Sequence, residues 1–176
     1  MIRLYIREAT ADDIPNLHKL IEMAYRGEAS RAGWTTEADL LAGQRTDPDD
    51  LATILSDPAQ RILTAWRGDN LAGCILLADR GSGCGYFGML SVFPPMQSLG
   101  VGRQLVTAAE AVAKARFGAD RMRISVFPQR ETLIAWYERL GYRQTGDTLP
   151  FPYGNPRFGL PLRDDLYFVV MERELA

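Results

Sequence analysis

The segment from Val92 to Arg103 contains the residues whose order best predicts a binding chemistry. It reads VFPPMQSLGVGR, so a β-prone run ends, a proline-containing loop follows, and Gly100 and Gly102 open a helix. Glycines at the start of a helix let a ligand approach the backbone, where unpaired N–H groups and the positive end of the helix dipole favour anions. The pattern therefore indicates a pyrophosphate-binding loop.

Two better-known phosphate-binding motifs do not fit this segment. The third glycine of a dinucleotide-binding fingerprint is absent, and no Gly-Lys-Ser/Thr follows as it would in a P-loop. The glycine-rich loop at Gly81–Gly85 precedes a predicted strand rather than a helix, which argues against a second phosphate loop there. The sequence therefore lacks the motifs of proteins that transfer hydride or hydrolyse nucleoside triphosphates.

The sequence holds few residues for metal or nucleophilic chemistry. His18 is the single histidine, which excludes any site with two imidazole ligands and leaves one candidate base for a catalytic triad. It borders an apolar helical stripe, and we assign it no role. Cys74 and Cys84 match no metal-ligand or disulfide spacing and are interpreted as buried free thiols of a reducing compartment. We expect no metal.

The length and charge of the chain exclude further classes of protein. The chain has 176 residues, enough for one domain over residues 1–176 that buries a core without staples. Twenty basic against 22 acidic side chains leave no positive excess to hold nucleic acid. The run Leu71–Ala78 is too short to span a bilayer, and the N-terminus lacks the apolar stretch of a signal peptide. We expect a cytoplasmic protein without nucleic-acid or membrane partners.

Hydrophobic periodicity predicts an alternation of strands and helices. Helices are expected from Thr10 to about Gly27, from Val101 to Gly118 and over Thr132–Leu140, with two short helices between Glu28 and Asp57, one around ADLLAG and one from Pro48. Strands are expected around Leu4–Ile6, at Arg61–Arg67 and Leu71–Ala78 joined by a hairpin turn, and at Tyr86–Phe93, Met122–Val126 and Leu166–Met171; Gly146–Pro161 is predicted as loop. This order predicts an α/β (α+β) fold with a mixed, twisted sheet and helices on both faces.

Three segments carry a resemblance to a known family. Gln97-x-x-Gly100-x-Gly102, after a strand ending in Val-x-Pro, resembles the Gln/Arg-x-x-Gly-x-Gly/Ala signature of the GNAT superfamily of N-acetyltransferases. Ala135–Tyr142, AWYERLGY, is similar to the family's Ala-x-x-Tyr-Glu-x-Leu-Gly-Phe segment, and Ile6–Asp13 resembles its first strand and helix start. The resemblance covers the chain except residues 28–57 and 146–165, and it implies a central sheet of six to seven strands.

The resemblance implies acetyl-CoA as the cofactor and acyl donor. It places the pyrophosphate on the backbone of residues 97–103, the pantetheine arm beside the fourth strand, and Tyr137 near the thioester sulfur as general acid. The implied cofactor-binding residues are Leu90, Val92, Gln97, Ser98, Leu99, Gly100, Val101, Gly102 and Arg103. The alternatives are an ordinary loop and helix cap at 97–103 and a simple core aromatic at Tyr137.

Two positions depart from the family pattern. Arg130 stands where many members have an asparagine that contacts the cofactor. Tyr86 stands where some members carry a glutamate base on the fourth strand, so the general base cannot be assigned from the sequence.

The acceptor side is predicted from charge and side-chain chemistry. Up to Gln60 the chain has six basic and eleven acidic residues, against fourteen and eleven in the remainder. An acidic front suits a cationic amine held by carboxylates such as Glu22, Glu28 or Glu37, although a solvated helical surface explains the same counts. The segment Trp34-Thr35-Thr36-Glu37 combines an aromatic face, hydroxyls and a carboxylate, unless Trp34 is a core anchor. Glu37 is the candidate acceptor contact or base.

The stretch Phe151–Phe158 is rich in aromatic residues and proline. It is interpreted as a cap on the acceptor pocket, as a homodimer contact or as a plain connecting loop. We expect an N-acetyltransferase that transfers the acetyl group of acetyl-CoA to a small amine by direct attack in a ternary complex. The alternatives are a non-catalytic acyl-CoA-binding sensor or assembly module, and an acetyltransferase of protein N-termini or lysines.

Overall fold

The computed structural model describes residues 1–34 and 36–176, apart from the side chain of Phe158. Its strands are β1 (Tyr5–Glu8), β2 (Leu41–Ala42), β3 (Gln60–Arg67), β4 (Asn70–Asp79), β5 (Cys84–Val92), β6 (Arg121–Val126), β7 (Arg143–Pro150), β8 (Leu160–Pro161) and β9 (Tyr167–Glu174). Its helices are α1 (Ile14–Tyr25), α2 (Gly27–Ser30), α3 (Pro48–Ser56), α4 (Val101–Phe117) and α5 (Glu131–Arg139). Among the described residues, no helix is long and apolar enough to cross a membrane.

Seven strands form one mixed sheet in the order β1-β3-β4-β5-β6-β9-β7. All neighbours are antiparallel except β5 and β6, which run parallel. The tight β3–β4 hairpin turns at Gly68, which adopts a left-handed φ of 60°. The expected mixed sheet of six to seven strands is confirmed.

The parallel pair β5–β6 is joined over only part of its length. Its ladder covers Cys84–Tyr86 against Arg121–Arg123 and stops there, although both strands continue. Within β5, Met89 has a φ of 47°, and the pairing with β4 shifts register opposite it. Such a bulge bends a strand and increases its local twist. The C-terminal half of β5 is thereby left without β6 as a neighbour.

Helices cover both faces of the sheet, as the sequence predicts. Cys74 and Ile75 are adjacent on β4, so their side chains point to opposite faces. Cys74 packs in a core with residues of α1 and α3, whereas Ile75 packs in a larger core with residues of α4 and α5.

Local capping signals place two helix starts. The backbone N–H of Thr10 donates to the Asp13 carboxylate at 2.8 Å as part of a capping box that precedes α1. Asp47 caps α3 by accepting from the N–H of Asp50 at 2.7 Å, and Pro48 occupies the first helical position. The helix predicted from Pro48 is confirmed.

Two sequence predictions fail. The segment after Tyr142 contains β7, which was expected to be loop from Gly146 onwards. Every residue of β7 is exposed, so this edge strand has no apolar alternation by which it could be recognised. The ADLLAG segment forms a turn and then the short strand β2, because Leu41 and Ala42 pair with Leu160 and Pro161 of β8. The helix expected there is wrong.

The two segments outside the family resemblance pack on each other. Besides the β2–β8 pair, Arg157 makes two hydrogen bonds of 3.0 Å to the Asp47 carboxylate. A third apolar core joins the segments from both sides and consists of Leu40, Leu41, Phe127, Phe151 and Leu166. These contacts therefore join parts of residues 28–57 and 146–165, while residues 146–150 belong to β7 of the main sheet.

Candidate active site

A cavity of about 510 Å³ lies where β5 and β6 are no longer paired. The end of β5, the loop after it, the N-terminus of α4 and one side of α5 form its walls. The lining residues are Tyr25, Trp34, Leu90, Val92, Met96, Gln97, Ser98, Gly100, Gly102, Arg103, Arg130, Thr132, Leu133, Trp136, Tyr137 and Arg139. Volume and aromatic lining are typical of a small-molecule site.

The N-terminus of α4 opens into this cavity without a side-chain cap. Gly100 is the N-cap residue with a φ of 86°, and as a glycine it has no side chain with which to cap the helix. A β-carbon on Gly102 would lie 3.4 Å from the Trp136 ring, so any larger side chain would enter the cavity. Arg103 and Arg139 line the same end. Backbone donors, helix dipole and two guanidinium groups together fit a pyrophosphate.

Seven of the nine residues expected at the cofactor line the cavity. The other two are Leu99, which is exposed, and Val101, whose side chain is in the core. Their expected contribution is through backbone amides, which does not require their side chains to face the cavity.

Gln97 connects three parts of the site. Its Oε1 accepts from the backbone N–H of Trp34 at 3.0 Å, and its Nε2 donates to the carbonyl of Val92 at 3.2 Å. A β-carbon on Gly33 would lie 2.4 Å from Gln97 Oε1, so with any other residue at this position the Gln97 amide would have to shift. Gln97 thereby joins the Trp34 loop to the end of β5.

Tyr137 lies in the middle of the cavity wall. Its side chain is buried among Phe87, Trp136 and Tyr142, each in edge-to-face contact. Burial raises the pKa of the hydroxyl well above its ordinary value. In the part of the chain that the structure describes, no group hydrogen-bonds this hydroxyl, although a buried tyrosine usually has a partner. The geometry therefore suits proton donation to a bound molecule.

Tyr25 forms the inner end of the cavity. Its hydroxyl donates to the carbonyl of Leu90 at 2.5 Å, and burial raises its pKa to about 12. The guanidinium groups of Arg45 and Arg130 lie 5.4 and 5.6 Å from its ring centroid, within the range of cation–π attraction. The hydrogen bond and the two stacked cations hold the ring in place.

Glu37 is the centre of a buried charge network rather than part of the cavity wall. Its Oε1 accepts from Arg26 at 2.7 Å and its Oε2 from Arg130 at 3.0 Å. Burial favours the neutral acid, but the charges of Arg130, Arg26 and Arg45 outweigh it and hold the pKa of Glu37 below its ordinary value. A carboxylate so placed is a poor proton acceptor, and the geometry disfavours the expected role as base.

Among the other residues expected to contact the acceptor, only one of those that the structure describes lines the cavity. Trp34 lines the cavity and meets Trp136 edge-to-face at 5.8 Å between ring centroids. Thr36 bonds Ser30 instead, and Thr35 lies outside the described residues. Neither Glu22 nor Glu28 lines the cavity: Glu22 accepts two backbone N–H groups, and Glu28 is exposed beside Arg31.

No described part of Phe151–Phe158 lines the cavity either. Phe151 is instead buried in the third core. Tyr86, at the position of the family's glutamate, bonds Ser125 at 2.9 Å across the β5–β6 pair.

Sequence reasoning missed Tyr25 and Trp136 as lining residues. Tyr25 follows directly after the apolar stripe of α1. Its aromatic ring with a polar hydroxyl is the signal by which it could have been predicted as a lining residue. Trp136 stands inside the segment that resembles the family, one residue before Tyr137. Their cavity contacts depend on elements far apart in the chain, which a local pattern does not reveal.

A model of the Acetyltransferase (GNAT) family matches residues 17–142. A putative acetyltransferase, yncA, from Salmonella typhimurium, solved with its cofactor acetyl-CoA, has 19% identity and a TM-score of 0.70, over 98% of this chain and 94% of that one. The ribosomal-protein-S18-alanine N-acetyltransferase from Escherichia coli has 14% identity and a TM-score of 0.70, over 99% and 95%.

Mutant forms of the spermidine/spermine N-acetyltransferase SpeG from Vibrio cholerae have 17% identity and a TM-score of 0.67, over 98% of this chain and 95% of that one. No curated protein sequence matches the chain significantly. At these identities the solved structures are similar to this chain in fold.

Proposed function

The chain belongs to the GNAT acetyltransferase family, and from this premise we propose that it transfers the acetyl group of acetyl-CoA to the amine of a small molecule. The continuous cavity from the α4 N-terminus to Tyr137 carries the proposal. It offers anion-binding backbone at one end and a proton donor, Tyr137, in its middle. The spermidine/spermine enzyme among the similar folds acts on small amines, which supports this acceptor class.

Direct attack in a ternary complex is the proposed reaction path. An acyl-enzyme would need a nucleophile beside the donor, but neither cysteine is among the described lining residues. Cys74 is fully buried, and burial raises its pKa to about 12, so it is a thiol rather than a thiolate. The acceptor amine is therefore the proposed nucleophile.

The amine must be neutral to attack. An alkylamine with a pKa of about 10.4 needs roughly 4.6 kcal/mol to lose its proton at pH 7. The aromatic and aliphatic side chains of the cavity wall disfavour the charged ammonium form and so lower this cost. Tyr137 then supplies a proton to the departing thiolate, and backbone N–H groups of β5 beside Val92 are the proposed donors to the tetrahedral oxyanion.

Replacing Tyr137 with phenylalanine should slow turnover without abolishing it. We expect kcat to fall by about 10- to 100-fold, because a thiolate whose conjugate acid has a pKa of about 8.5 leaves without full protonation. The KM for acetyl-CoA should stay nearly constant. Steady-state kinetics over pH 6–9 measures both quantities, and the raised pKa of Tyr137 predicts no loss of its proton within that range.

Tyr142→Phe is the matched control for this change. Tyr142 is also buried, but its hydroxyl bonds Glu110 at 2.7 Å and does not line the cavity. We expect its kcat to equal that of the unaltered protein. An equal loss of kcat in both variants would remove Tyr137 as proton donor.

The proposed function is tested by free thiol release from acetyl-CoA with a panel of small amines and with peptides. Release with a small amine supports the proposal, whereas release only with peptides indicates a protein acetyltransferase. Tight CoA binding without release for any acceptor indicates the sensor or assembly module. A cytoplasmic location and a homodimer contact at Phe151–Phe158 stay predictions.

A further inference from the structure

We propose that the inner end of the cavity binds a carboxylate and that Arg130 is the residue that recognises it. This inference rests on the proposed acetyl transfer and specifies its substrate. The carboxylate has two possible sources, an acceptor of amino-acid type or a dicarboxylic acyl group on the donor. Both present the same group to the same guanidinium.

The charge of the cavity lining supports this assignment. Every charged side chain among the described lining residues is an arginine: Arg103, Arg130 and Arg139. Arg103 and Arg139 lie at the end where the α4 N-terminus suits the phosphates of the donor. Arg130 lies at the other end, beside Tyr25. A second anionic group is therefore expected there, away from the pyrophosphate.

Arg130 is held in a fixed orientation. Glu37 Oε2 accepts from its Nη1 at 3.0 Å, its guanidinium stacks on Tyr25, and its side chain is 11% exposed. A planar guanidinium matches the two oxygens of a carboxylate, and an oriented one loses little freedom on binding. Tyr25, Trp136 and Tyr137 give the surroundings a low polarity, which strengthens a charge-assisted hydrogen bond.

The network behind Arg130 keeps a positive charge at this end. Three guanidinium groups, those of Arg26, Arg45 and Arg130, act on the single carboxylate of Glu37. Arg26 and Arg130 share the single negative charge of Glu37, which leaves this pair of guanidinium groups with an excess of positive charge. A polyamine would meet repulsion here, whereas a zwitterion would place its carboxylate on Arg130.

The first test compares acceptors that share one side chain and differ at the carboxyl group, with kcat/KM calculated per concentration of neutral amine because their amine pKa values differ. Leucine, leucinamide and 3-methylbutylamine, and the same sets for other amino acids, are assayed with acetyl-CoA by thiol release. We expect kcat/KM to be at least about tenfold higher for the best carboxylate-bearing acceptor than for its two analogues. Arg130→Gln should lower it by about 10- to 150-fold, the range for a hydrogen bond to a charged group, and change the analogues by less than about threefold.

Arg130→Lys is the matched variant, because it keeps the charge and loses the planar fork; an intermediate loss is expected. The second test varies the donor and compares succinyl-CoA with acetyl-CoA on 3-methylbutylamine. A preference for succinyl-CoA that is lost in Arg130→Gln assigns the recognised carboxylate to the acyl group. Equal rates with and without a carboxylate in both tests would overturn the proposal. So would an Arg130→Gln variant that slows every substrate alike.

A binding measurement separates this inference from the proposed function. Trp34 and Trp136 line the cavity, so tryptophan fluorescence of the CoA-loaded protein should report leucine binding and show weaker binding of leucinamide. If no acceptor is turned over, the proposed function fails and this titration alone decides about the carboxylate. If only amines without a carboxylate react, and leucine does not bind, acetyl transfer stands and this inference falls.

Discussion

Replacing Glu37 with glutamine is expected to lower the free energy of unfolding by about 3–5 kcal/mol. Glu37 is 7% exposed and is the carboxylate that both Arg26 and Arg130 contact. Removing one partner of a buried pair leaves an uncompensated charge, and here two guanidinium groups lose the same counter-ion. Chemical denaturation with a constant m-value measures the loss directly.

The stability contributed by Glu37 also depends on pH. Its folded-state pKa lies below its ordinary value, so this contribution is complete above the unfolded-state pKa of about 4.3 and disappears as the pH falls through the folded-state value. The difference in unfolding free energy between the unaltered protein and Glu37→Gln should therefore be constant near neutrality and shrink in acid. A difference that grew on acidification would contradict the assigned charge state.

Glu28→Gln is the control for this experiment. It makes the same chemical change in the same part of the chain, but the Glu28 side chain is 91% exposed and pairs with Arg31 on the surface. Exposed ion pairs contribute little, so we expect no resolvable loss of stability. Equal destabilisation by both variants would mean that the Glu37 network is not a buried ion cluster.

Replacing Gly102 with leucine should weaken donor binding while the fold persists. Its β-carbon would lie 3.4 Å from Trp136 and 3.7 Å from Val92, so the rest of the leucine side chain must occupy the cavity. Overpacking typically costs 1–3 kcal/mol, which predicts an increase in the Kd for CoA of about 10- to 100-fold. Leucine favours a helix over glycine by roughly 1 kcal/mol, so the Tm should not fall.

Calorimetric titration with CoA measures this Kd. Gly102→Ala should bind with a smaller loss, because a lone β-carbon fits at ordinary contact distance. Ala111→Leu adds the same bulk on the exposed side of α4 and should bind CoA normally. Unimpaired binding by Gly102→Leu would place the donor elsewhere than in this cavity.

The parts of the fold that sequence predicted are those with local signals. Turn residues predicted the loop Gln97–Gly102 and the hairpin around Gly68, and a clear hydrophobic period predicted α4. All three are present. The polar edge strand β7 has no such period. Strand β2 exists because of its pairing with β8 more than 100 residues away, so local propensity did not determine it.

The same distinction holds at the site. Gln97, Ser98, Gly100 and Gly102 line the cavity, and they could be predicted as site residues because the prediction rests on their order along the chain. Glu37 was predicted to be an acceptor contact or base, but its two arginine partners stand 11 residues before it and 93 residues after it. Whether a carboxylate is a base or a structural counter-ion depends on such partners, and those are set by packing of distant elements.

The bridge made by Gln97 has a consequence for the energetics of the two substrates. One amide group holds both the Trp34 loop, at the proposed acceptor site, and the end of β5, beside the proposed donor site. If donor binding fixes this loop and thereby raises the affinity for the acceptor, thermodynamic linkage requires the acceptor to raise the affinity for the donor by the same factor. The Gln97 side chain would then couple the two binding equilibria.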